Sequence, residues 1–194
     1  MLMRAISRGP KALLLGGCEY TRNLQLKRRY GFDGWHVRSP FHWKPYKQIV
    51  VEAVNALAPE TVVEIGCGLG DIIARVHAPQ LLGLDRDERV IEASRHLYAM
   101  NFRVCGDLQQ AGAVISSEGL SSVGALIMVN WPHRIPSTEL ISSVRSICQR
   151  VPVEFLIIDL IKPKASTYKF HHSAASLSQL GTLELGPTGF DPLT

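Results

Sequence analysis

The chain has 194 residues, 46% of them hydrophobic and 20% charged, with 21 Lys and Arg against 17 Asp and Glu for a formal charge of +4. That length accommodates one domain with a substantial core, and the composition excludes a largely disordered chain or a fibrous repeat. No stretch approaches the roughly 20 apolar residues that span a bilayer, and the apolar run Ala12–Leu15 is too short for a signal-peptide core, so neither membrane insertion nor secretion is expected.

Before Glu19 there is no acidic residue, and Lys27, Arg28 and Arg29 stand consecutively, so the basic excess belongs to the N-terminal segment. From Met1 to Gly34 no helical or strand period continues long enough to assign an element. Residues 1–34 are therefore read as a basic, weakly structured segment: a solvated leader, an anion-binding arm or an Arg-rich presequence. The domain proper is expected over residues 35–194. It opens with Trp35–Tyr46, whose aromatics, histidines and prolines suit an irregular arm on a surface. Pro45 then fits a first helical turn, and Tyr46, Ile49, Val50, Ala53, Val54 and Leu57 form one apolar stripe of a helix ended by Ala58–Glu60.

Beyond that helix, short apolar runs alternate with helical patterns. Strands are predicted at Thr61–Ile65, Leu81–Asp85, Phe102–Cys105, Ala125–Val129 and Val153–Asp159, and helices at Asp71–Val76, Asp87–Ala99, Leu108–Ser117 and Ser137–Arg150. Strands apolar on both faces, separated by helices, predict an α/β fold with a parallel sheet covered on each side. Gly181–Leu185 reads as one further strand and Gly186–Gly189 as a turn. The cysteines Cys18, Cys67, Cys105 and Cys148 lie far apart with no CxxC pair, which predicts free thiols in a reducing cytoplasm. No HxH, HxxxH or Cys/His set stands at ligand spacing near the expected pocket, and no metal is expected.

The most informative stretch is Val62–Ile73, a buried strand running into alternating glycines. Gly66, Gly68 and Gly70 permit positive φ and a close backbone approach by a ligand, and the segment after them presents unpaired N–H groups. A dinucleotide fingerprint would place Gly or Ala at position 71; Asp71 stands there instead, and its charge opposes a pyrophosphate. The Walker Lys-Ser/Thr is also absent. Glu64 within the apolar strand is costly unless paired. Asp71 is equally a helix cap or a ligand contact, and Asp87 reads as the cap of the next helix.

These residues resemble the first motif of the class I S-adenosylmethionine-dependent methyltransferases, an acidic residue followed by GxGxG, in the form Glu64-Ile-Gly66-Cys-Gly68-Leu-Gly70. Leu82-Gly-Leu-Asp85 and Val104-Cys-Gly-Asp107 are similar to the family's next two carboxylate-ending strands. The resemblance, carried from about Tyr46 to Asp159, implies a Rossmann-like, doubly wound, mostly parallel sheet and S-adenosyl-L-methionine as cofactor. It implies a pocket formed by Glu64, Gly66, Cys67, Gly68, Gly70, Asp85, Arg86, Asp107, Asn130 and Tyr46, with Asp85 on the ribose hydroxyls and Asp107 on the adenine amino group. Glu64 would take the methionine ammonium or reach the glycine-loop backbone through water. A sulfonium and an ammonium without phosphate suit acidic surroundings.

Ligands bind at the carboxyl ends of such strands, so Val129-Asn130-Trp131-Pro132-His133 is expected to border the transferred methyl. It is similar in position to the Asn-Pro-Pro-Tyr motif of nitrogen methyltransferases. Trp131 and His133 depart from that motif, making His133 a candidate base for a hydroxyl, with Asn130 beside it. His36, His42, Trp43 and Tyr46 fall where the family carries a lid, although Trp35, Phe41 and Trp43 would equally anchor the arm. His77, His96, His171 and His172 have no motif around them.

The expected function is methyl transfer to a small-molecule, sugar or metabolite acceptor at O or N. RNA is the alternative acceptor through the basic N-terminal segment, and a non-catalytic partner subunit the alternative role. The family's sheet ends in an antiparallel hairpin, which here is expected to be incomplete, leaving an open edge for a second copy or a partner.

Overall fold

The computed structural model describes residues 9–160 and 168–182. Five strands, β1 (Thr61–Ile65), β2 (Gln80–Asp85), β3 (Asn101–Val104), β4 (Val123–Met128) and β5 (Val153–Ile158), form one sheet in the order β3-β2-β1-β4-β5. All four pairings are parallel, with Glu64 opposite Gly83 on one side and Ile127 on the other. The direction of winding reverses between β1 and β4, and this reversal opens a crevice at their carboxyl ends.

Successive strand residues face opposite layers, which divides the core in two. On one side Val62, Ala125 and Ile127 pack with α3 (Pro45–Leu57), α4 (Glu88–Leu97) and Phe102. On the other, Val63, Leu82, Leu126 and Met128 pack with α5 (Ala111–Ser117) and α6 (Ser137–Arg150). The five strands predicted between Thr61 and Asp159 are present, shifted at their ends by no more than two residues. Helix α6 has the predicted bounds, and α5 follows a 3-10 turn at Leu108–Gln110.

Three expectations are corrected. Residues 10–30, within the segment read as weakly structured, form a 21-residue helix α1 (Pro10–Tyr30). Its weak periodicity has a cause: α1 buries Gly16, Glu19, Asn23 and Leu26, a stripe that is half polar because it serves ion pairs rather than an apolar core. The arm Trp35–Tyr46 contains a short helix α2 (Gly34–Val37), capped by Asp33, and a 3-10 turn at Phe41–Trp43. The helix predicted at Asp71–Val76 is a single 3-10 turn, Ile73–Arg75. With Pro79 and the start of β2 close behind, the connection is too short for an α-helix.

The buried face of α3 is also rotated from the predicted stripe. Tyr46, Val50 and Val54 are buried as expected, but Ala53 and Leu57 are exposed while Lys47 and Val51 turn inward. Beyond β5 the described part of the chain finishes with a one-turn helix α7 (Ala174–Leu177) and a 3-10 turn. The strand expected at Gly181–Leu185 lies outside the described residues except for Gly181 and Thr182, and the turn expected at Gly186–Gly189 lies outside them altogether. No helix among the described residues is long and apolar enough to cross a membrane.

Candidate functional site

The chain leaves β1 at Ile65 and turns through Gly66, Gly68 and Gly70 with φ of +74°, +55° and +76°, all left-handed. Leu84 of β2 accepts from Gly66 N at 2.7 Å and Cys67 N at 2.9 Å, which ties the turn to the sheet. A Cβ on Gly66 would overlap the Trp131 indole and one on Gly68 would come within 3.1 Å of the His36 ring, and both backbones are left-handed, so both positions favour glycine on two independent grounds. Asp85, at the end of β2, accepts from Gly68 N at 2.9 Å through Oδ2 and from Asp87 N at 3.0 Å through Oδ1.

A cleft of about 450 Å³, counted with its open mouth, lies at this reversal point and is lined by Trp35, His36, Ser39, Tyr46, Lys47, Glu64, Gly66, Cys67, Gly68, Leu69, Asp71, Ile72, Val129 and Asn130. Of the residues the resemblance implies for the pocket it gathers Tyr46, Glu64, Gly66, Cys67, Gly68 and Asn130, and with them Trp35, His36 and Asp71, also singled out in the sequence. Gly70 packs against Phe102 and Tyr98 instead. Asp107 is exposed and accepts from Gln109 N at 2.9 Å, capping the turn after β3, and Arg86 is exposed beside Asp85.

Burial governs the acids of the cleft. Glu64 accepts from Ile73 N at 3.0 Å through Oε2, and its carboxyl is pushed up to about 8 by desolvation, against the lowering effects of that bond and of Lys47. It is therefore mostly protonated at neutral pH. Burial would raise Asp71 as well, but Lys47, Arg22 and Arg75 outweigh it and hold this carboxylate below its ordinary range. Lys47 Nζ donates to Asp71 Oδ2 at 2.8 Å and to Ser39 O at 2.6 Å, and Arg22 approaches Asp71 Oδ1 at 3.4 Å. Asp71 is thus the centre of an ion cluster and not a helix cap. Desolvation, with Asp85 and Glu64 adding to it, drives the Cys67 thiol well above its ordinary value, and burial does the same to the Tyr46 hydroxyl.

Helix α1 is joined to this cluster. Glu19, buried on its inner face, accepts from Arg75 at 3.0 Å and from the His42 backbone N–H at 3.0 Å, with the His42 ring Nδ1 at 2.9 Å. Arg75 lies 4.1 Å above the centre of the Phe41 ring, a cation–π contact. Trp43 stacks on Tyr20 of α1, and Gly16 presses on the Trp43 ring. Asn23 donates to the carbonyl of His36 at 3.2 Å, which holds α2 over the glycine turn. The basic run Lys27, Arg28 and Arg29 occupies the last turn of α1, where cations complement the helix dipole.

On the other wall, Asn130 follows β4 with φ +73°, and its N–H donates to Asp159 Oδ1 at 2.8 Å. Its own Oδ1 is buried with no hydrogen-bond donor among the described residues. Trp131 donates its indole N–H to Ile65 O at 2.6 Å. His133 has no exposed surface and does not line the cleft; it sits behind Asn130 with Nε2 3.2 Å from Asp159 Oδ2. That approach is close enough for an ion pair but lacks hydrogen-bond alignment. Tyr168 meets the His133 ring edge-on at 5.0 Å and His172 stacks on it at 5.4 Å.

Sequence reasoning missed Lys47, Arg22, Glu19, Arg75 and Asp159. Lys47 and the α1 residues carry no local pattern, since their partners lie tens of residues away. Asp159 had a readable signal, a carboxylate ending an apolar strand, the same feature that marks Asp85.

A parallel five-stranded sheet of this order, with a glycine turn after β1 and a carboxylate ending β2, has the class I methyltransferase fold. Two crystal structures of magnesium protoporphyrin IX methyltransferase (ChlM) from Synechocystis PCC 6803 are similar to it. The form with bound SAH gives a TM-score of 0.54 at 16% identity, covering 88% of this chain and 87% of that one. The form with bound SAM gives 0.52 at 17% identity, covering 88% and 84%. At that identity the likeness is one of fold. No protein-family model matches the chain, and no curated protein matches it in sequence.

Proposed function

We propose that this chain is an S-adenosylmethionine-dependent methyltransferase acting on a small-molecule acceptor. The observation that carries the reading is the turn after β1, where three left-handed glycines bring bare backbone to a cleft bordered by Glu64 and Asn130, with Asp85 at its edge. The donor set suits a cationic, phosphate-free ligand: an uncharged Glu64 carboxyl ready to ionise and a buried Asn130 oxygen that lacks a donor. Asp71 is already neutralised by its own cations, so it offers such a ligand little.

Glu64, the backbone of Gly66–Gly68 and Asp85 would hold the cofactor, with Asp107 and Arg86 on its exposed adenine side and Tyr46 and Cys67 shaping the wall. When bound, S-adenosylmethionine supplies an electrophilic methyl group. The chain's own contribution is positioning: α2 and Trp131 cover the glycine turn, and Asn130 stands where the acceptor would approach. His133, read from the sequence as a base, is fully buried behind Asn130 and does not line the cleft, so it is assigned no proton-transfer role in this reading. Trp35 and His36 line this cleft, and the ChlM structures are of an enzyme whose named substrate is itself a small molecule, magnesium protoporphyrin IX.

Calorimetric titration with S-adenosylmethionine and S-adenosylhomocysteine, with NAD for comparison, tests this reading. Saturable binding of the first two, weakened at least tenfold by Asp85→Ala, is expected. A folded protein that binds neither, or that prefers NAD, refutes it.

A further inference from the structure

Gly31, with φ +78°, ends α1, and the chain turns back so that α2 begins three residues later. The turn is fixed from beneath, where Phe32 is buried with Leu26 of α1, Val37 of α2, Leu69 and Val90 of α4. Gly34 opens α2 and is not one of the left-handed glycines, so what its missing side chain provides is room. Arg38 Nη2 and Lys27 Nζ lie 3.2 and 3.6 Å from the point that a Cβ on Gly34 would occupy. The two cations are therefore no more than about 7 Å apart, a separation at which like charges repel.

Neither cation makes an ion pair among the described residues. Asp33, the adjoining acid, caps α2 by accepting from Trp35 N at 2.8 Å and His36 N at 3.4 Å, and it approaches His36 Nε2 at 3.9 Å. Asp87 is taken by Arg89 at 2.8 Å. Arg38 donates from Nε to Gly34 O at 3.2 Å, which steadies the guanidinium and leaves its two terminal nitrogens for another acceptor. Arg29 is drawn aside, with its guanidinium 5.3 Å from the centre of the Tyr30 ring. A planar fork and a point charge facing one recess, without a carboxylate between them, make a receptor for a phosphate or carboxylate group.

We propose that Lys27 and Arg38 form an anion site on the rim of the cleft, which takes the phosphate or carboxylate of a second ligand distinct from the cofactor. Trp35 and His36, the two residues after Gly34, line the cleft, whereas Lys27 and Arg38 do not, so the pair stands beside the cofactor's space and not in it. The anion site is independent of the cofactor. That its ligand is the methyl acceptor rests on the S-adenosylmethionine reading above, and it makes that acceptor an acidic small molecule.

The probe is inorganic phosphate at pH 7, added to the full chain with ionic strength held constant by sodium chloride. Two-dimensional proton–nitrogen NMR follows the Gly34 amide and the Arg38 Nε–H, and both are expected to shift to saturation at millimolar phosphate. Read at Gly34, Arg38→Gln and Lys27→Gln should each weaken phosphate at least about fivefold, and Arg29→Gln less than about twofold. All three side chains are at least partly exposed, and an otherwise unchanged spectrum establishes that each variant is folded. Saturating S-adenosylhomocysteine, which carries a carboxylate of its own, should leave phosphate affinity within about threefold.

Shifts that rise without saturating, or an Arg29→Gln variant weakened as much as Arg38→Gln, mean a diffuse basic surface and overturn the site. Loss of phosphate binding when S-adenosylhomocysteine saturates the protein makes the pair an anchor for the cofactor's carboxylate and overturns the second ligand. A folded protein that binds phosphate at this pair but does not bind S-adenosylhomocysteine supports the site and refutes the cofactor reading, and the acceptor assignment with it.

Discussion

Replacing Glu64 by Gln should reshape the pH dependence of stability in a way no surface carboxylate can. Burial raises the folded-state carboxyl from 4.5 to about 8. The folded protein therefore holds this proton more tightly than the unfolded chain. The contribution to stability is fully present below pH 4.5 and is lost as pH rises through about 8. Across that interval the loss is about 5 kcal/mol at 1.36 kcal/mol per pH unit. In Glu64→Gln the side-chain amide keeps an acceptor for the Ile73 N–H and does not ionise, so the difference between the two proteins isolates the group. Urea unfolding at pH 5, 7 and 9 should show the two within about 1 kcal/mol at pH 5, with E64Q gaining several kcal/mol relative to wild type by pH 9. A difference that stays flat across this range would mean that Glu64 is ionised in the folded protein throughout, held so by Lys47, and the burial argument would be wrong.

The same group makes cofactor binding pH-dependent. If the ligand's ammonium meets Glu64, S-adenosylhomocysteine affinity should rise by up to about tenfold between pH 6 and 7 with release of a proton, and E64Q should be flat; calorimetry in buffers of different ionisation enthalpy reads both. Asp71→Asn leaves Lys47 buried against an uncharged partner and should cost about 3–5 kcal/mol in urea unfolding, with Lys47→Met in the same chain restoring at least half. Gly66→Ala should cost more than about 2 kcal/mol, because a Cβ there meets Trp131 and the backbone is left-handed; Trp131→Ala should relieve the first cost and leave the second, about 1 kcal/mol. Glu19→Ala should increase amide exchange across α1 and α2 while leaving β1, β2 and β4 protected, as measured by hydrogen–deuterium exchange.

The parallel sheet and its helices were legible because each strand is a short apolar run and each turn carries glycine or an acid, signals that lie within a few residues. The Gly66–Gly70 turn and Asp85 were legible for the same reason. The face of α3 was misread by one position because the inward residue is a lysine, and a charge is buried there only because Asp71 waits across the cleft. Helix α1 escaped notice because its inner stripe includes Glu19 and Asn23, which a hydrophobic period cannot register. His133 was legible as a residue of the loop after β4, but its distance from the cleft depends on Phe170 and His172, which reach it from the far end of the chain.

The ties of α1 also set an order of events during synthesis. Arg22 meets Asp71 across 49 residues and Glu19 meets Arg75 across 56, while Leu26 and Phe32 pack on Val90 and Ala93 of α4. Helix α1 is therefore made before these partners, and its ties form only as the chain is extended through Asp71, Arg75 and then α4. Made before β1, α1 gains its last anchors only after β2, and the cleft it helps to close is completed only after the sheet beneath it has begun to form.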